Sequence, residues 1–216
     1  MWYNIFMEEK SKLIYNCLKE KFPNAVCELE FNSNFQLLIS VILSAQCTDK
    51  RVNEVTKILF GKYPTAFDLA NANLEDILKI VKPCGFFNNK SKNIIETSKI
   101  LVEKFNGEVP KDFSALQTLP GVGQKTANVL TSVGFGEDAF AVDTHVFRVS
   151  KRFGIANGKT PEKVEEQLKK VFSKDLWSET HHLMVLFGRY YCKARNPQCN
   201  DCKLRENCLY YNNLNK

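Results

Sequence analysis

Leu119-Pro120-Gly121-Val122-Gly123-Gln124-Lys125-Thr126-Ala127-Asn128-Val129-Leu130 is the stretch on which the fold and chemistry of this chain turn. Two glycines around one apolar residue predict a tight hairpin whose successive backbone N–H groups can face outward, because glycine accepts positive φ at little cost. The chain then runs directly into a helix, with Ala127, Val129, Leu130 and Val133 forming an apolar stripe at helical spacing. A helix start beside a glycine hairpin suits a phosphate group. The stretch is not a nucleotide loop, since neither G-x-G-x-x-G nor G-x-x-x-x-G-K-[ST] is present. Lys125, in the first turn of the helix, adds a candidate nucleophile to what is otherwise a binding turn.

Outward from the hairpin, helical periodicity recurs and no convincing strand pattern is found. Leu13, Ile14, Cys17 and Leu18 share one face of a first helix. Phe35 to Ala45 is so apolar that it belongs in the middle of a domain. Helices are expected over Asp49–Phe60, Leu74–Val81, Asn88–Phe105, from the hairpin to about Phe135, and near Thr144–Phe153, Pro161–Phe172 and Ser178–Tyr191. Thr160 before Pro161 is a good cap and first-turn pair. The expected class is all-α.

The 216 residues suffice for one large domain or two small ones, and 44% hydrophobic with 12% aromatic content is globular. A net charge of +6 suits a polyanionic partner without establishing one. No basic–apolar–small leader precedes Glu8 and Glu9, and the Leu37–Leu43 stretch is far short of the roughly 20 residues a membrane-spanning helix needs. A cytoplasmic protein is expected, nucleoid-associated in a bacterium.

Of the eight cysteines, Cys17, Cys27, Cys47 and Cys84 are scattered and read as small buried hydrophobes. Cys192, Cys199, Cys202 and Cys208 instead form C-x6-C-x2-C-x5-C in one short polar segment. That segment is too small to hold a core, so a metal or cluster is expected to organise it. Disulfides fit poorly without a secretion signal. Structural zinc and a [4Fe–4S] cluster are both compatible with four thiolates, and spacing alone leaves the two open. His181 and His182 are adjacent on a helix and point about 100° apart, so they are poor joint ligands and read as capping, packing or hydrogen-bonding residues.

The hairpin resembles the helix-hairpin-helix of DNA-repair proteins, which grips a backbone phosphate; on that likeness Gly121, Val122 and Gly123 are DNA contacts. Further segments extend the resemblance to essentially the whole chain: Leu43-Ser44-Ala45-Gln46-Cys47-Thr48-Asp49, Gly107-Glu108-Val109-Pro110, Val142-Asp143-Thr144-His145, and the cysteine loop. With these the chain resembles the endonuclease III family of bifunctional DNA glycosylases and abasic-site lyases. The resemblance implies that Lys125 is the nucleophile, Asp143 the essential carboxylate, and that the four clustered cysteines hold a [4Fe–4S] cluster. It further implies that Gln46 enters the space left by an extruded base, and that the bulky residue after Gly85, here Phe86 where leucine is usual, wedges the opposite strand. His145, Lys193 and Arg195 join them as DNA contacts, the last two braced against phosphates by the cluster loop.

The chemistry accounts for those residue types. A damaged base must leave C1′ while an amine attacks, so the site needs a neutral amine beside a negative charge. The resulting imine acidifies C2′ and permits β-elimination of the 3′ phosphate. The implied architecture is two helical domains, residues 27–137 with the hairpin and residues 1–26 plus 138–216 with the cluster. Lys125 and Asp143 would meet at the cleft between them. The expected protein is a monomer acting on duplex DNA with oxidised pyrimidines or abasic sites. Three alternatives remain: a monofunctional adenine glycosylase of the same fold, a non-catalytic phosphate clamp, and a zinc-stabilised nuclease scaffold. Against the first, this chain has Lys125 and no carboxylate between Leu37 and Ala45.

Overall fold

The computed structural model describes residues 2–214, which contain helices and no strand. The chain separates into two compact units, one of residues Glu28–Glu137, the other of the residues up to Cys27 together with those from Asp138 onward.

In the Glu28–Glu137 unit the central element is α2 (Asn34–Ser44), started by Ser33, whose hydroxyl accepts from Gln36 N (3.2 Å). Phe35 and every residue from Leu37 to Leu43 are buried, as a helix apolar on all sides requires. α3 (Asp49–Lys62) is capped by Thr48 and buries Val52, Val55, Thr56 and Leu59, one face at helical spacing. Two short helices escape a periodicity reading: α4 (Ala66–Ala70), with its Thr65–Asp68 capping box, and α7 (Phe113–Gln117), capped by Asp112. Between them lie α5 (Leu74–Val81) and the 19-residue α6 (Phe87–Phe105), which packs on α2, α4 and α5. The hairpin helix α8 (Gln124–Val129) continues to Gly134 in π geometry, so the expected helix to Phe135 exists with a widened last turn.

The other unit contains α1 (Trp2–Lys21), α9 (Thr144–Phe153), α10 (Pro161–Val171), α11 (Trp177–Leu186) and α12 (Leu209–Leu214). A π segment, Phe187–Tyr191, extends α11. Ile14 and Leu18 of α1 share one core with Phe140, Val146, Val149, Phe153, Leu168, Leu183, Met184 and Phe187. Polar ties on the same helix reinforce the packing: Tyr15 Oη and Lys19 Nζ both donate to the Glu179 carboxylate on α11. The lysine and tyrosine bonds hold that carboxyl below its usual range, while burial first and Glu179 second push Tyr15 up to about 12. No helix among the described residues is long and apolar enough to cross a membrane.

Candidate active site

The hairpin is fixed from both sides within its own unit. Thr97 Oγ1 on α6 donates to Pro120 O (2.9 Å), and the Val122 N–H donates to Leu119 O (3.0 Å), closing the turn. Gly121 sits at φ +81, and a Cβ there would come within 3.1 Å of Asn93 Nδ2 and 3.2 Å of Ile42 Cγ2. Only glycine satisfies both the dihedral and the space. Val122 is buried, with its amide used inside the turn, so its part in any phosphate contact is to shape the hairpin. The first turn of α8 follows directly. Gly123 is its N-cap and supplies no side chain to its first amides. Lys125 stands exposed in that first turn.

Asp143 opens α9 in a different manner. Its Oδ1 accepts from both His145 N and Val146 N (2.8 Å each), so the carboxylate is a helix cap as well as a candidate catalytic group. His145 is half-buried, and burial pulls its pKa below the ordinary imidazole value, with Asp143 opposing. Gly188 allows this contact region to form: a Cβ there would lie 2.8 Å from His145 Cβ.

One turn and two turns along α9, Arg148 and Arg152 reach the cysteine loop. Arg148 Nη2 donates to Gly188 O (2.7 Å) and its Nε to Cys192 O (3.3 Å). Arg152 Nη1 donates to Lys193 O (2.7 Å) and to Cys192 O and Sγ (3.3 Å each), and its Nη2 to Ala194 O (3.1 Å). The planar fork of arginine suits this fan of acceptors. It leaves the Lys193 and Arg195 side chains exposed. Cys192, Cys199, Cys202 and Cys208 line one pocket walled by Phe153, Phe187 and Tyr191. Burial raises Cys199 and brings Cys202 to about 11, with neighbouring thiols adding to both. No three His, Cys, Asp or Glu among the described residues converge on a point that would hold a single metal ion.

Gln46 and Phe86 are both exposed, Phe86 by 67%, and both adopt left-handed backbone, φ +53 and +46. Non-glycine residues in that region cost roughly 1–3 kcal/mol and occur where surroundings enforce them. Phe86 is therefore no core aromatic. Of the scattered cysteines only Cys84 is buried; Cys17, Cys27 and Cys47 are half-buried. His181 Nδ1 lies 2.7 Å from Ala141 O and its ring meets His182 edge-on at 4.9 Å, the packing and hydrogen-bonding role expected of the pair.

The model of the HhH-GPD superfamily of base excision DNA repair proteins matches residues 39–174, which include the hairpin, Lys125 and Asp143. The chain is 50% identical to endonuclease III of Bacillus subtilis, over 88% of this chain and 87% of that protein. The chain belongs to the endonuclease III family. Endonuclease III of Escherichia coli K12 is 46% identical over 89% of this chain and 92% of its own length. Among solved structures, a trapped endonuclease III–DNA covalent intermediate with an estranged adenine superposes at a TM-score of 0.90, with 47% identity, covering 95% of this chain and 99% of that one. The endonuclease III fold is thus common to both units. Lys90 is a residue that sequence reasoning passed over. Its spacing from Ile94, Ile95 and Leu101 on the buried face of α6 was the signal that could have found it.

Proposed function

We propose that Lys125 and Asp143 carry the chemistry of this DNA glycosylase and abasic-site lyase of base excision repair. The carrying observation is Lys125 itself, an exposed amine in the first turn of a helix that follows a glycine hairpin. Its substrate is damaged duplex DNA, with oxidised pyrimidines as the preferred lesions. Lys125 Nζ attacks C1′ as the base departs with the bonding electron pair, which takes up a proton. Loss of a proton from nitrogen and opening of the sugar give the imine. Removal of the C2′ proton then expels the 3′ phosphate, and water hydrolyses the imine to release the enzyme. Asp143 stabilises positive charge on the sugar through Oδ2, because Oδ1 is engaged by the cap.

Gln46 fills the space an extruded base leaves and Phe86 wedges the opposite strand, contacts that offset the few kcal/mol extrusion costs. Gly121, Val122 and Gly123 shape a phosphate clamp, and His145, Lys193 and Arg195 add contacts that make binding fall with salt. The donor set of the cysteine loop fits a [4Fe–4S] cluster. Four thiols line one apolar-walled pocket, and a [4Fe–4S] cluster takes one thiolate at each of its four irons. Cys192, Cys199, Cys202 and Cys208 would hold it, and it would supply cross-linking of a loop that has no core of its own. A duplex-DNA substrate also favours a cytoplasmic, nucleoid-associated enzyme working as a monomer.

Borohydride trapping on a duplex with one thymine glycol, wild type against Lys125→Ala, tests the assignment. A covalent adduct that vanishes in the variant supports it. Trapping on abasic DNA alone would refute the lesion preference, and binding without trapping on either duplex would leave only a phosphate clamp.

A further inference from the structure

Lys90 is a lysine buried to 5% exposure, four residues into α6. Its Nζ donates to two carbonyls far apart in sequence, Leu43 O (2.9 Å) and Cys84 O (2.7 Å). Leu43 lies in the last turn of α2, where carbonyls lack helical partners and carry the negative end of the helix dipole. Three residues later comes Gln46. Cys84 closes the 3₁₀ turn Lys82–Cys84, and two residues later comes Phe86. One ammonium therefore fastens together the roots of two turns, each presenting an exposed side chain on left-handed backbone. Burial first, and then the neighbouring Cys47 of the other turn, push the Cys84 thiol up to about 12.

A buried ammonium is an expensive way to fill this volume, and its burial pulls its pKa down. A methionine would pack at lower cost. What the lysine supplies is a fixed separation: two short, directional bonds to backbone atoms of both turns, which a methylene chain cannot make. The strain at Gln46 and Phe86 requires such enforcement.

We propose that Lys90 is a positioning residue for base extrusion, holding the Gln46 and Phe86 turns at one spacing so that both enter the duplex together. This rests on the DNA-repair activity proposed above, and specifically on Gln46 filling the gap and Phe86 wedging the opposite strand. Lys90 touches neither substrate nor the reacting atoms. It belongs to a step needed for a stacked base and not for an unstacked one.

The test compares two substrates, a duplex with one thymine glycol and a single-stranded oligonucleotide with one abasic site, which needs no extrusion. Lys90→Met is expected to lower kcat/KM on the duplex by about ten- to a hundred-fold, the scale of an ångström-level misplacement. The single-stranded lyase rate is expected to stay within about two-fold, a change equivalent to only a few tenths of a kcal/mol. Introduced into a Gln46→Ala/Phe86→Ala background, Lys90→Met is expected to add little, because coupled residues are not additive. Lys90→Arg, which keeps a cationic donor, is expected to recover part of the duplex rate, and it carries the comparison if Lys90→Met does not fold. Equal losses on both substrates, an unchanged ratio, or full additivity in the double background would overturn the proposal. A wild-type protein unable to cleave or trap an abasic site in either duplex or single strand would instead overturn the lyase assignment, and the proposal with it.

Discussion

Two helix starts carry the proposed chemistry, and they are built in opposite ways. α8 begins on Gly123, which offers its first amides no side-chain acceptor, and the proposed nucleophile, Lys125, stands in that same first turn. α9 begins on Asp143, which satisfies two amides with Oδ1. The first start has no side-chain cap, which suits an approaching phosphate. The second uses one oxygen of its proposed catalytic carboxylate to hold its own helix. At α8, function and stability reside on different residues. At α9, they coincide on one.

The largest expected effect tests that separation. Lys125→Gln is expected to abolish strand cleavage by at least about a thousand-fold while leaving unfolding free energy within about 0.5 kcal/mol, as for other exposed substitutions. At α9, Asp143→Asn and Asp143→Ala are both expected to lose about a hundred-fold or more in activity. They should part in stability: Asn keeps the cap, and Ala loses about 1 kcal/mol. Equal stabilities of Asn and Ala variants in urea unfolding would sink the dual role of Asp143.

The difference extends to the scaffolds. Changing any of Cys192, Cys199, Cys202 or Cys208 to Ala is expected to make the unit containing Asp143 sensitive to limited proteolysis. Cleavage sites would lie beyond residue 138, with residues 28–137 still protected. A variant that stays resistant and stable would show that the loop needs no ligand.

Gly123→Asp would make the start of α8 resemble that of α9. Gly123 has φ −94 and open space around a Cβ, so the change is sterically free. Stability should rise by about 0.5 kcal/mol, and binding to abasic duplex should weaken about ten-fold as a carboxylate occupies the amides and repels phosphate. Unchanged affinity would remove the start of α8 from the DNA interface.

A further effect concerns pH. Burial holds His182 down at about 3 in the folded unit, against about 6.5 for a free imidazole. The unfolded chain therefore binds the proton first as pH falls. Stability from this residue is complete above about 6.5 and is lost toward about 3, at up to about 1.4 kcal/mol per pH unit. Between pH 7 and 5, where carboxylates remain ionised, His182→Gln should flatten the stability profile. A profile of the same slope in both proteins would exclude His182 as its cause.

Much of this site could be read from residue order because its signals are periodic or glycine-based. The apolar density of Phe35–Ala45 announced α2 within one residue, and Thr160-Pro161 marked the start of α10. α4 was equally legible in principle, through its Thr65–Asp68 box, but at five residues it shows no period. The π turns at the ends of α8 and α11 had no such signal, since they arise from packing rather than residue type. Gln46 and Phe86 were legible as candidates only through family likeness; neither residue type favours left-handed backbone, so nothing in the chain foretold their strain. Lys90 was hidden for the reverse reason: a lysine on a helix is ordinarily a solvated one.

The two units also differ in when a growing chain can complete them. Ile14 and Leu18 belong to a core whose other members begin at Phe140. During synthesis from the N-terminus, the Glu28–Glu137 unit has all its packing partners as soon as its last residue emerges. α1, made first, must keep its apolar face waiting across that whole interval, and closing so long a loop carries an entropic cost. It is a nascent-chain segment for a chaperone to shield. The unit that carries the hairpin and Lys125 can consequently fold while the residues that complete the α1 core, out to Cys208, are still being added.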